Sequence, residues 1–411
     1  MEKNAYELLL QNARQGKTSE GKEYFYICPA PGKYPHQWLW DSCFHAIVMK
    51  HFNVELAEKE MITLLSMVQE DGFLPCTIFW DANFFVRFFN NFLYSSKYFN
   101  RITQPPVVGI SLEKIYSKTK NKQFLERTLP LAKKYYLWLM KKRDIDNDGL
   151  VSVIHPFETG ADECIVFDKI YGLKNPTTLT IYYYLLKNLR QCKRLDWDLE
   201  KISKEEVFNV ESVGFNCIYA QGLRSLSRLF SEVDNDKDAR FFNKKANATE
   251  KVIFEKCYDN VNDIFLDLAF RDKLKVPVVS FFSLMPLILD NIDPVIADFV
   301  VKEHLLNPKE FWSPYPIPSV SMSDPSFSSS GTTLLWRGPT WINVNWFIFN
   351  GLKKHGYHDV AKEILKKTIE LVAKSGFREF YNPFTGEGMR TKDYGWSTLI
   401  VDMIKDISKS D

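Results

Sequence analysis

Two kinds of apolar pattern alternate along the 411-residue chain. In one, near 4–14, 54–67, 122–142, 237–256, 294–304 and 358–375, apolar residues recur every three or four positions with lysine and glutamate between them. Val360, Ile364, Leu365, Ile369 and Val372, interrupted by Lys362, Lys366, Lys367 and Glu370, form such a set: a helix with one face in solvent. In the other, near 38–51, 103–117, 212–230, 277–290, 339–353 and 394–407, apolar or small residues cover most of the circumference. A helix without a charged face needs cover on most sides. Six of each kind, in alternation, predict an all-α fold, an (α/α)6 barrel with the buried helices inside and the half-exposed ones outside.

The connections carry a second pattern. Runs at 70–75, 146–150, 310–314 and 376–380 follow outer helices and are punctuated by Gly, Asp and Pro among aromatics, whereas Lys354-His355-Gly356-Tyr357 is brief. Long loops at one end of a ring place function on that end. The stretch 165–208 breaks the alternation and reads as a helical insertion within one catalytic domain spanning 1–411.

Composition narrows the function classes. Lysine and arginine number 53 against 51 acids, a net charge of +2, which excludes binding to nucleic acid through bulk positive charge. No window approaches 18 uninterrupted apolar residues, so no membrane span is expected. The seven cysteines are scattered without a CxxC, and the first residues, MEKNAYELLLQNARQGK, lack the pattern of a secretion signal. A reduced, cytoplasmic protein is expected, in which the sequon Asn247-Ala248-Thr249 has no meaning.

The seven histidines show no HExxH spacing, and Asp144 to Gly149 resembles only the start of an EF-hand, with His155 where the final glutamate belongs. A Gly-rich phosphate loop and G-x-S-x-G are both missing, so neither metal nor organic cofactor is expected. What remains is carboxylates among aromatics. The loop 155–163 holds Glu158, Asp162 and Glu163 beside Phe157, and the loop 376–388 sets Glu379 between Phe377 and Phe380. Two acids flanking a cleft, one with its pKa raised by apolar burial, are what glycosidic cleavage requires. Tyr34 to Asp41, with Trp38 and Trp40, enters the first buried helix, and Trp336-Arg337-Gly338-Pro339-Thr340-Trp341 enters the fifth and continues to Asn345. Tryptophan faces stack on sugar C–H faces, while Asp, Asn and Arg hold hydroxyls.

These blocks resemble glycoside hydrolase family 63, in its compact bacterial and archaeal branch. The matching runs are Trp38 to Phe44, Gln104-Pro105-Pro106, Glu158-Thr159-Gly160 with Asp162, Trp336 to Trp341 with Asn345, Glu379 to Gly386, and Gly395-Trp396-Ser397. The resemblance implies an (α/α)6 barrel and inverting hydrolysis of a small α-linked glycoside such as mannosylglycerate, glucosylglycerate or a short α-glucoside, without a cofactor. Carried over by position, it makes Asp162 the general acid and Glu379 the general base. Trp40, Asp41, Arg337 and Trp341 become walls and hydroxyl anchors, and Tyr34, Gln104 and Tyr381 lie toward the leaving group. Trp38, Glu158, Trp336, Asn345 and Trp396 complete the expected sugar site. After the acid, the family carries Asn-Ser-Pro where this chain has Glu163-Cys164-Ile165, and Ala161 replaces a larger residue. Two alternatives stand beside the hydrolase: a non-catalytic sugar-binding protein, and a sugar epimerase, which would need paired histidines where only His155 lies in a candidate loop.

Overall fold

The computed structural model describes residues 1–330 and 335–407. Each of the twelve expected segments is helical. The outer helices are Glu2–Asn12, Val54–Leu65, Lys122–Arg143, Asp236–Val252, Pro294–Phe299 (continued by a wider turn at Val300–Leu305) and His358–Ser375. The inner ones are Leu39–Met49, Val108–Thr119, Val213–Glu232, the 3-10 helix Phe281–Ile288, Ile342–Lys354, and Gly395–Leu399 running into Ile400–Ile407. Each inner helix packs on the next, and the last returns to the first, so the inner ring closes. Helix Val213–Glu232 buries 17 of its 20 residues, as a circumference mostly of apolar and small residues requires.

Local chemistry sets the boundaries. Asn53, Asn121 and Asn235 cap the second, third and fourth outer helices through their side-chain oxygens, so the turns joining inner to outer helices are short. The inner helix expected over 103–117 starts only at Val108, because Pro105 and Pro106 block helix behind them. Pro286 removes a backbone donor from the fourth inner segment, which winds as a 3-10 helix over Phe281–Ile288 instead of filling 277–290.

The stretch 165–208 contributes the helices Ile165–Ile170, Thr178–Arg194 and Leu199–Lys204, with a small core of Ile154, Cys192, Leu195, Leu199, Ile202 and Val207. Helix Thr178–Arg194 touches a helix the periodicity did not single out, Phe84–Tyr94, whose phenylalanines at 84, 85, 88, 89 and 92 are exposed. An antiparallel hairpin stands at Ala13–Lys17 with Glu23–Ile27, and another, at Arg378–Tyr381 with Gly388–Lys392, in the connection read as a loop at 376–388.

Candidate active site

A cavity of about 280 Å³ opens among the long connections. Tyr34, His36, Trp38, Trp40 and Asp41 line one side, Gln104 and Asp162 another, and Trp336, Trp341, Glu379, Tyr394 and Trp396 the rest. A larger groove of about 730 Å³, lined by Trp138, Lys142, Trp197 and Glu200 among others, includes no residue of the loops 155–163 and 376–388.

The aromatic wall is a packed set. Trp336 and Trp341 stack in parallel at 3.8 Å, and Trp396 meets Trp40 edge-on at 5.4 Å and Trp341 at 5.5 Å. Their interlock fixes rigid apolar faces at the cavity surface.

Asp162 follows the 3-10 turn Pro156–Thr159 and Gly160, whose φ of 73° lies in the left-handed region. A Cβ on Gly160 would stand 2.4 Å from the Trp40 ring, so only glycine lets this loop lie on the tryptophan. Below it, Glu158 is fully buried, paired with Arg143 at 2.6 and 2.8 Å, and accepts the amides of Thr103 at 3.1 Å and Ile154 at 2.8 Å. Burial holds the Asp162 carboxyl well above the usual range; Glu163 and, more weakly, Glu379 push the same way, against Arg390.

Glu379 reaches the cavity by another device. It sits where the Arg378–Tyr381 and Gly388–Lys392 pairing slips register between Arg378 and Phe380, an irregularity that re-aims a side chain. Its carboxylate accepts hydrogen bonds from Tyr34 Oη at 3.0 Å and from the Thr391 amide at 3.3 Å and hydroxyl at 2.5 Å. Arg390 Nε lies 3.7 Å and Lys33 Nζ 4.0 Å away, so the negative charge has two cations beside it.

Several wall atoms face no protein partner among the described residues: Asp41 Oδ1, His36 Nδ1, Trp38 Nε1 and Trp341 Nε1. Burial pushes Asp41 up to about 8, which leaves a carboxyl able to donate or accept toward a hydroxyl. The Gln104 side-chain oxygen accepts the Trp40 amide at 3.3 Å and orients that residue.

Four residues expected on the sugar are placed behind the wall instead. Glu158 is consumed by Arg143 and two amides, as above. Arg337 pairs with Asp168 through two 2.6 Å bonds, and its Nε donates to the Glu163 carbonyl at 2.9 Å; the expected contact with a hydroxyl is replaced by this buried pair. Asn345 donates to the Pro316 carbonyl and Thr368 hydroxyl and accepts the Ile317 amide, fixing the chain at 316–317. The Tyr381 hydroxyl donates to the Gly376 carbonyl and accepts the Arg378 amide, locking the hairpin base. Conversely, sequence reasoning missed Phe79, Asn90 and Tyr94, which line the cavity from the segment around the Phe84–Tyr94 helix, and Lys33, Arg390 and Thr391 around Glu379. The turn residues Asn382, Pro383 and Gly386 were a signal for a returning strand that brings 390–391 to Glu379.

Asp144, Asp146 and Asp148 do converge, but Lys273 Nζ stands among them, at 2.6 Å from Asp146 and 2.7 Å from Glu211, with Lys256 2.6 Å from Asp148. An ammonium group already neutralises this cluster, so its donor set fits an ion-pair network better than a cation site. His155 is buried, bonded to the Leu185 carbonyl and the Phe157 amide, and His36 is the one histidine lining the cavity among the described residues.

A family model for the mannosylglycerate hydrolase MGH1-like glycoside hydrolase domain matches residues 34–397. The mannosylglycerate hydrolase of Thermus thermophilus is 28% identical over 96% of this chain and 98% of its own. The glucosylglycerate hydrolase of Mycolicibacterium hassiacum is 24% identical over 90% of this chain and 92% of its own. A crystal structure of the family 63 mannosylglycerate hydrolase from Thermus thermophilus in complex with Tris superposes with a TM-score of 0.88 at 27% identity, covering 98% of this chain and 99% of that one. The alternating helices, the closed inner ring and this match together assign the chain to the MGH1-like glycoside hydrolases of family 63.

Proposed function

We propose that this glycoside hydrolase cleaves a small α-linked glycoside of a glycerate, mannosylglycerate or glucosylglycerate, with inversion, using Asp162 as general acid and Glu379 as general base. The observation that carries the reading is the opposite setting of two carboxyl groups on one aromatic cavity. Burial and neighbouring acids shift Asp162 well above the usual carboxyl range, toward the protonated form an acid needs, while Glu379 is hydrogen-bonded three times and flanked by Lys33 and Arg390. Asp162 protonates the glycosidic oxygen as Glu379 takes a proton from a water attacking the opposite face. Trp336, Trp341, Trp40 and Trp396 supply stacking faces, and Asp41, Trp38, Gln104 and Tyr34 the polar contacts to hydroxyls and leaving group.

The volume of about 280 Å³ lies at the small end of ligand sites and suits one sugar with a small aglycone. The relatives are named for mannosylglycerate and glucosylglycerate, which supports the same substrate class here. We take 1–411 as one catalytic unit with 165–208 inserted in it. Seven free, buried cysteines suit a reducing compartment such as the cytoplasm.

The test is a hydrolysis screen over mannosylglycerate, glucosylglycerate and short α-glucosides. Release of glycerate from one of the first two, faster than any glucoside is cleaved, is expected; binding of both without turnover would return the sugar-binding alternative.

A further inference from the structure

We propose that Glu163 is a positioning residue for the general acid: its buried carboxylate keeps the proton on Asp162 and so sets the alkaline limit of activity. The inference rests on the reading of Asp162 as the acid and adds a residue that does not line the cavity.

Glu163 directly follows Asp162 and is buried, yet it is held at both ends. Its carboxylate accepts the Tyr182 hydroxyl at 3.3 Å and the Leu335 amide at 3.4 Å. Its carbonyl accepts Arg337 Nε at 2.9 Å, and that guanidinium is locked on Asp168. Three separate stretches, the helix Thr178–Arg194, the segment at 335–337 and the helix Ile165–Ile170, therefore fix where the charge stands. The groups facing it are Asp162, Tyr182, Arg337, Arg390 and, at longer range, Lys33.

Buried carboxyls on consecutive residues, one of which feels the other's charge, titrate as a pair, and the donors decide which one ionises. Glu163 receives a hydroxyl, an amide and the field of two arginines. No side chain of the described residues donates a hydrogen bond to the Asp162 carboxyl, which has Glu163 and Glu379 against its charge and Arg390 and a backbone amide in its favour. The shared proton therefore settles on Asp162, the carboxyl that lines the cavity. Burial raises both groups, and the Leu335 amide, the Tyr182 hydroxyl and the two arginines draw Glu163 back down, so of the pair it is Glu163 that ionises first.

The experiment is the pH profile of kcat/KM for glycerate release from mannosylglycerate or glucosylglycerate, whichever the wild type cleaves. Glu163→Gln removes the charge, so the alkaline limb should move down by about one pH unit or more. At the pH where the wild type keeps half its plateau, the variant should then keep about a tenth of its own. Glu163→Asp retains the charge and should hold the limb within about half a unit of the wild type. A limb that stays in place in Glu163→Gln, or a rate that falls equally at every pH, overturns the proposal, the second result being that of a purely structural residue. Should Glu163→Gln not fold, the wild type minus Asp162→Asn infrared difference at neutral pH reports the proton directly. A protonated-carboxyl band lost in Asp162→Asn is expected; its survival would put the proton on Glu163 and overturn the idea. High activity in Asp162→Asn would instead sink the acid assignment itself, an outcome separable from the behaviour of Glu163.

Discussion

Asp41 shows how one residue trades stability for function. Its carboxyl is buried in the first turn of an inner helix and pushed up to about 8, from an ordinary value of 3.8. Between those values the unfolded chain has released this proton and the folded chain retains it, so the group's contribution to stability falls as pH rises from about 4 to 8. Asp41→Asn should therefore raise the melting temperature by several degrees at pH 8, with the gain vanishing near pH 4, while turnover drops because the hydroxyl contact changes. Asp162→Asn and Glu379→Gln should each lower kcat by about 10²-fold or more with the fold retained, since general acid and base contributions run to about 10²–10⁴. Arg337→Ala should behave the other way. It leaves Asp168 buried without its partner, a loss of about 3–5 kcal/mol, read as a lower denaturant midpoint. The difference between these residues was only half legible in the sequence. Trp336 to Trp341 stood out as charge and aromatics entering a buried helix, but which acid meets Arg337 depends on Asp168, which lies in the segment that fits no periodic pattern. A local sequence reveals that a buried charge needs a partner; only the fold says whether that partner is protein or ligand.

At the scale of elements, periodicity carried the helices and missed whatever is short. All twelve ring segments were legible, the outer ones through a period near 3.6 and the inner ones through a circumference that is apolar or small on most sides, and the capping asparagines mark several starts. The hairpin holding Glu379 has strands of four and five residues with an irregular register, too little alternation to stand out. The helix Phe84–Tyr94 is the opposite case: its sequence FFVRFFNNFLY reads as core, yet only Asn90 and Tyr94 are buried. Arg87, Asn90 and Asn91 do interrupt the phenylalanines at three and four spacing, but the side that packs is the one bearing Asn90, whose amide donates to the Ser96 and Phe99 carbonyls at 2.8 Å. The exposed rings contribute little to folding energy, since burial is what stabilises. The double substitution Phe88→Ser with Phe92→Ser should thus shift the melting temperature by no more than about 2 °C, whereas Asn90→Ala should lower it by more, through two carbonyls left without their donor. Calorimetry on the two variants decides between a helix that is merely displayed and one whose rings are packed.

The ring as a whole sets the stereochemistry. Six connections run from outer to inner helices, and they hold the site: 13–38, 66–107, 144–212, 258–280, 306–341 and 376–394. Asp162 lies on the third and Glu379 on the sixth, three steps apart around a six-membered ring, which is as far as its geometry permits. The closure that makes this separation meaningful is itself tied by chain ends: Lys405 pairs with Glu2 at 2.7 Å, and Asn12 donates to the Asp393 carbonyl at 3.2 Å. Acids on opposite sides of a cavity leave space for a water between the base and the anomeric carbon, the arrangement of inverting enzymes, whose carboxyls stand roughly 6.5–9.5 Å apart. A retaining enzyme would need Glu379 at bonding distance from that carbon, free to move onto it; here Tyr34 and Thr391 hold one carboxylate oxygen each. An α-linked substrate should accordingly release the β-anomer first. Proton NMR of the fresh product, recorded before mutarotation, reads the outcome directly: an initial α-anomer would make Glu379 a nucleophile or remove it from the reaction, and with it the argument from opposite connections.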